Sequence, residues 1–308
     1  MCIWSAPRTR RRLGAIHRTK RSMRDRTGGK MPDADPNVVC ALRRRGLNLE
    51  PWLKTCEAGW HSSRLDRVFT KNAGNKLSRR RFRACAREVL ASARLETHMH
   101  PLRAETIAFD FLDIGCAPGG FSCELLHRFP RARGWGITLS PRDGGQNPFR
   151  ELREHPRFRI WYADIGNGSP LPPKIASRAF VLVVDDLTVT RSALASSDSE
   201  IAERLSQKTL ALALECLVPG GVLIRRERLD PTVSTMQRLS LLRRRFALWS
   251  ACKPGSSYAL SRAYFLIAVG YEQGPGPLEI DKTARDIAAL WQPVVASHSK
   301  AIRRELRS

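Results

Sequence analysis

From Ile107 onward the chain alternates short apolar runs with longer amphipathic stretches: IAFDFLDIG, GFSCELLHRF, ARGWGITL, RFRIWYADI, AFVLVVDDL, SEIAERLSQKTLALALECL, GGVLIRRE, FALWSACK and AYFLIAVGY. Strand, helix and strand in repetition predict an α/β fold, a parallel or mixed sheet with helices on both faces. The longest of the helical stretches carries its own start signal, since Ser197 followed by Glu200 makes a capping-box pattern ahead of Ile201. Val218 to Gly221, VPGG, is expected to end that helix and turn the chain into the next strand. Past Gly274 a GPGP break precedes a final helical segment from about Ile280 to Leu306.

Ahead of this, residues 36–105 read as helical. In NKLSRRRFRACAREVLASARLETH, Leu77, Phe82, Cys85, Val89 and Leu90 recur at helical spacing, with Arg79, Arg80, Arg83 and Arg87 between them. That arginine face is either a solvated surface or one that meets RNA. Residues 1–35 are a basic appendage, with no acidic residue before Asp25. Such a segment suits a nucleic-acid-binding or nuclear tail, or an Arg-rich mitochondrial presequence, and the expected location is inside the cell, in the nucleus or cytoplasm or, with a presequence, the mitochondrion. The expected organisation is the appendage, the helical basic region over 36–105, a main α/β domain over 106–273 and a helical segment over 274–308. No internal repeat is visible.

Charge sharpens this picture. The 308 residues hold 53 Lys plus Arg against 29 Asp plus Glu, a net charge of +24. A chain this basic implies a polyanionic partner, and nucleic acid is the first expectation, because each neutralised phosphate releases counterions. No apolar run approaches the roughly 20 residues that a membrane-spanning helix needs. The eight cysteines form no C-x-x-C pair, so they read as free thiols in a reducing compartment. His98 and His100 lack a partnering cluster, and no metal site is expected.

The candidate chemistry centres on Phe109 to Phe129, FDFLDIGCAPGGFSCELLHRF. A strand ends near Asp113, and Gly115-Cys116-Ala117-Pro118-Gly119-Gly120 turns into a helix beginning near Phe121. In open α/β sheets such a turn lies where ligands bind, and glycine is needed where ligand meets backbone. The spacing is not the G-x-G-x-x-G of dinucleotide binding, because the glycine that admits pyrophosphate is missing.

DIGCAPGGFS resembles the S-adenosylmethionine (SAM) loop of the FtsJ-like family of RNA 2′-O-methyltransferases, and the resemblance runs from about Ser78 to Gly270. It implies a seven-stranded Rossmann-like methyltransferase sheet with helices on both faces, SAM as cofactor and RNA as partner. It further implies that Asp113, Gly115, Pro118, Gly119, Gly120 and Phe121 hold the methionine end of SAM. Asp164, in WYADI, would contact the adenine amino group. Thr138 stands where many SAM enzymes place an acid for the ribose.

The family's catalytic tetrad is Lys-Asp-Lys-Glu, and this sequence departs from it. LSRRRFRA resembles S-R-x-x-F-K-L and puts Arg83 at the first lysine. VVDDLT supplies the aspartate, Asp186, with Asp185 as the alternative register. VPGGVLIRRER puts Arg226 at the second lysine, and KPGSSYALSRAYFLIA retains Lys253, Pro254, Ser257 and Ser261 but has Ala263 in place of the glutamate. Arginine stays protonated, so Arg226 cannot act as a base, although its charge can stabilise a developing alkoxide. The resemblance therefore implies an RNA 2′-O-methyltransferase with Asp186 as catalytic acid and Arg83 and Arg226 as substrate-facing cations. The alternative is a catalytically impaired SAM-binding homologue that acts by binding RNA.

Overall fold

The apolar runs become strands, largely buried in the middle of the sheet and partly exposed at its edges. They are β1 (Asp110–Ile114), β2 (Arg133–Thr138), β3 (Phe158–Tyr162), β4 (Phe180–Asp185), β5 (Leu217–Arg228), β6 (Phe246–Cys252) and β7 (Ala263–Tyr271). The computed structural model describes residues 34–62, 79–98, 108–168, 179–187, 198–272 and 280–307, with Leu65, Ile175 and Gly274. The residues before 34, Leu77 and Ser78, the His98 and His100 side chains, the Ser197 cap and the break after Gly274 lie outside the described residues.

The strands form one seven-stranded sheet in the order β3-β2-β1-β4-β5-β7-β6. Its first five members pair in parallel, whereas β7 runs antiparallel to both neighbours. The expected mixed α/β sheet is thus the one observed. Alternate residues of each strand feed opposite cores, as a period of two requires. In β7, Tyr264, Leu266 and Ala268 enter one core, and Phe265, Ile267 and Val269 the other.

Nine helices among the described residues cover the two faces. They are α1 (Pro36–Arg44), α2 (Glu50–Trp60), α3 (Arg79–Ala93), α4 (Leu95–His98), α5 (Gly120–Arg128), α6 (Arg150–Arg153), α7 (Asp198–Cys216), α8 (Val233–Arg245) and α9 (Ile280–Arg307). α9 lies along α2, α1 and β6, joining the two ends of the described chain in one layer. Its apolar face buries Ile287, Ala288, Trp291, Val294, Val295 and Ile302, each large side chain contributing about 1.5–3 kcal/mol of transfer free energy. His298 fastens the seam: its Nδ1 accepts from Trp52 Nε1 at 3.0 Å, and its Nε2 lies 3.1 Å from the Leu260 carbonyl. On the other face α3 packs on α5.

Two local expectations change. VPGG does not form a separate turn, because α7 ends at Cys216 and β5 begins at once with Leu217. Gly220, at φ +77°, lets the strand bulge and recover its register beside β4 rather than break. The second is α8, which was not among the expected elements. Thr232 caps it by accepting from Thr235 N at 3.3 Å, and Leu239 and Leu242 bury its one apolar edge. The rest of the helix is polar enough to hide that edge in the sequence.

Candidate active site

Strand order reverses between β1 and β4, and ligands of open α/β sheets bind beyond the carboxyl ends of the strands at such a point. Asp186 N donates to the Ile114 carbonyl at 3.0 Å, which holds the two strand ends together. Beyond them opens a cleft. Phe82, Cys85, Asp113, the Gly115–Phe121 loop, Asp186, Ser257 and Tyr258 line it.

The floor is the loop singled out in the sequence. Gly115 has φ +82°, and a Cβ there would sit 2.7 Å from the Leu187 Cα, so only glycine fits. Its N–H donates to the Ile137 carbonyl at 2.8 Å, which fixes the exit from β1. At Gly120 a Cβ would lie 2.7 Å from the Phe82 carbonyl oxygen, and that closeness lets α3 form one wall of the cleft. Helix α5 starts at Gly120, one residue earlier than expected, and no side chain caps its N-terminus. Uncapped N–H groups with the positive end of the helix dipole behind them suit a carboxylate.

Two acids face this loop. Asp113 is buried and accepts from Ser122 Oγ. Burial pushes its carboxyl up to about 7 despite that bond, with the Asp186 and Asp185 charges adding to the rise. Asp186 is pushed up to about 6 by burial, against the pull of Arg226. Its Oδ1 has no hydrogen-bond donor among the described residues, although Arg226 Nε stands 3.2 Å away, off the bonding direction. In a chain of net charge +24, two acids thus line one cleft. The chemistry of SAM fits this donor set: its ammonium suits Asp113 and its carboxylate the uncapped helix start.

Arg226 donates from Nη2 to the Asp186 carbonyl at 2.7 Å and from Nη1 to the Tyr258 hydroxyl at 2.9 Å. Tyr258 stacks edge-on against Phe265 at 5.7 Å between ring centroids. Its segment is clamped to α3, where the Glu88 carboxylate accepts from Gly255 N at 2.7 Å and Ser256 N at 3.2 Å. Sequence reasoning missed Tyr258; an aromatic within the loop chemistry of KPGSSYALS was the only signal. At Ala263 the chain offers no carboxylate, and Tyr258 supplies the anchor that Arg226 needs.

The neighbouring arginine goes the other way. Arg225 registers opposite Asp185, and both point to the far side of the sheet, where Arg225 pairs with Asp185 and, at 2.7 Å, with Glu227. Arg238 joins the same network through Glu227 at 3.0 Å and Glu203 at 2.9 Å. Between the two registers for the aspartate, the cleft takes Asp186. Arg228 is half exposed and pairs with Asp230 at 3.0 Å.

Two expected site residues do not line this cleft. Arg83 is not among the cleft-lining residues: α3 turns Phe82 and Cys85 toward the cleft, and Arg83 binds Glu124 on α5 and approaches Glu151 at 3.9 Å. The arginine face of α3 is thus largely ion-paired, with Arg79 on Glu151 and Arg87 3.6 Å from Glu124. Asp164, at the end of β3, lies outside the described cleft and accepts from Asn167 N at 3.2 Å and Asn167 Nδ2 at 2.7 Å.

Comparison with known proteins gives the family. The family model for the FtsJ-like methyltransferase matches residues 92–271, which excludes Arg83 and α9. The chain is 29% identical over 163 residues to the ribosomal RNA large subunit methyltransferase E of Nitratidesulfovibrio vulgaris strain Miyazaki F, covering 52% of this chain and 76% of the relative. It is 26% identical over 166 residues to the protein of that name from Jannaschia sp. strain CCS1, covering 52% and 67%. Among solved structures, a ribosomal RNA methyltransferase of Plasmodium falciparum superposes with a TM-score of 0.40 and 17% identity over 60% of this chain and 97% of its own.

Proposed function

The chain belongs to the FtsJ-like methyltransferase family, whose members are SAM-dependent, and from that premise we propose that it methylates a ribose 2′-hydroxyl of RNA with Asp186 as the proton acceptor. The observation that carries this reading is the unpartnered Oδ1 of Asp186, held by Arg226 in the same cleft as the glycine loop. Bound there, SAM supplies a methyl group on a sulfonium, an electrophile that needs in-line approach by oxygen.

The residues divide the remaining work. The N–H groups at the start of α5 and Asp113 are suited to the two ends of the amino acid moiety, carboxylate and ammonium. A ribose hydroxyl is a weak nucleophile and gains from a base, whereas a ring nitrogen with a free lone pair does not. Asp186, pushed up to about 6, is ionised near neutral pH and basic enough to take that proton on Oδ1. Arg226 keeps its proton and places a fixed positive charge where the alkoxide develops, and Tyr258 holds it there. Asp164 remains the candidate for the adenine amino group and Arg83 for a more distant phosphate. RNA as substrate is supported by the net charge of +24 and by the names of the relatives.

The acceptor atom is tested by digesting RNA that the protein has methylated with labelled SAM. The label is expected in 2′-O-methylnucleosides, and label confined to base-methylated nucleosides would overturn the assignment. A second reading, an RNA-binding homologue that retains SAM without turnover, draws on Ala263 and on the inability of Arg226 to shed a proton. It predicts SAM binding with no label in RNA.

A further inference from the structure

The last turns of α9 present Lys300, Arg303, Arg304 and Arg307, all exposed, at positions i, i+3, i+4 and i+7 of one helical face. These four side chains alone line the open depression there. None of them has an ion-pair partner among the described residues; Arg303 Nε only reaches its own helix, at the Ser299 carbonyl 3.3 Å away. Compensation of the helix dipole accounts for a cation or two in the final turn. It does not account for four on one face starting two turns from the end.

α9 itself is tied to a loop that reaches the cleft. His298 Nε2 lies 3.1 Å from the Leu260 carbonyl, in the same loop that brings Ser257 and Tyr258 to the cleft. Lys300 follows two residues later and Arg307 nine, a rise of about 3 to 14 Å along the helix. All four residues lie outside the span matched by the family model, 92–271.

We propose that this stripe is a docking surface for the phosphate backbone of RNA beyond the reacting nucleotide, an inference that rests on the RNA-methyltransferase reading of the cleft. Four unpaired cations in a row suit a chain of phosphates. An anionic membrane fits less well, because the apolar face of α9 is already buried against α2 and β6 and has nothing to insert.

The test uses the full chain and a short fluorescein-labelled single-stranded RNA of mixed sequence, with anisotropy followed as salt is raised. Lys300→Gln, Arg303→Gln, Arg304→Gln and Arg307→Gln together are expected to weaken binding about tenfold or more at low salt. They are also expected to make the slope of log affinity against log salt shallower by about three, from four contacts at roughly 0.7 each. SAM affinity is expected to stay unchanged. The triple variant Arg303→Lys, Arg304→Lys and Arg307→Lys, which keeps the charges, is expected to keep the slope. An unchanged slope in the glutamine variant, or no RNA binding by the wild type, overturns the docking surface. So does stripe-dependent binding to phosphatidylserine vesicles without any change in the RNA slope. Methyl transfer by the same proteins separates the two readings. A shallower slope with no transfer by either protein keeps the surface and removes the enzyme, whereas transfer with an unchanged KM for RNA does the reverse.

Discussion

Arg226 grips Asp186 from two directions, donating from Nη2 to its carbonyl oxygen at 2.7 Å while Nε stands 3.2 Å from Oδ1. The pair unites a permanent cation with an acid that burial has made more basic, and it sits beside the glycine loop. In the proposed mechanism, arginine in place of lysine moves the handling of the proton from the cation to the acid.

That division of labour has a pH signature. Only ionised Asp186 accepts a proton, so single-turnover methyl transfer is expected to rise about tenfold per pH unit below about 6 and to level off above it. Asp186→Asn is expected to lower the rate by about two to four orders of magnitude and to abolish the dependence. A rate that instead climbs through the range of lysine titration would assign the base elsewhere.

Tyr258 is a positioning residue, acting through Arg226. Tyr258→Phe keeps the ring against Phe265 but removes the 2.9 Å hydrogen bond. A bond to a charged group is worth about 1.5–3 kcal/mol, so kcat is expected to fall about tenfold to a hundredfold with SAM affinity unchanged. A change confined to KM would show that Tyr258 touches RNA rather than steering the arginine.

Asp113 links binding to stability. Its carboxyl is raised to about 7 from 3.8, so its ionised form is disfavoured by folding. The penalty is absent below about 3.8, grows as pH rises and is complete above about 7. Asp113→Asn is therefore expected to raise Tm more at pH about 8 than at pH about 5, and to weaken SAM binding. Calorimetry at both values checks this, and an equal Tm shift at the two would contradict it.

On the far face, Arg225 neutralises Asp185 and Glu227 where all three are buried. Arg225→Met strands the Asp185 carboxylate, leaves Glu227 to Arg238 alone, and is expected to cost about 3–5 kcal/mol in urea unfolding. A cost below about 1 kcal/mol would mean that water reaches the network.

The sequence made some of this legible and hid the rest for physical reasons. The glycine loop, the long helix α7 and the terminal helix α9 were readable because glycine spacing and helical periodicity are local signals. Arg225 and Arg226 looked alike as consecutive basic residues. The two-residue alternation of β5, which sends one to Asp185 and the other to Asp186, becomes meaningful only once the strand's neighbour is known. Tyr258 sits in a loop without periodicity, and its role depends on the clamp from Glu88, far away in the chain. Arg83 shows the converse: a motif match fixed its position in the chain, but the phase of α3 turns it to Glu124.

The most direct test of the central claim pairs two measurements on one preparation: SAM affinity by calorimetry, and label transfer from methyl-labelled SAM to RNA, for the wild type and Asp186→Ala. Equal SAM affinities with transfer by the wild type alone are predicted. SAM binding without Asp186-dependent transfer to RNA would contradict it.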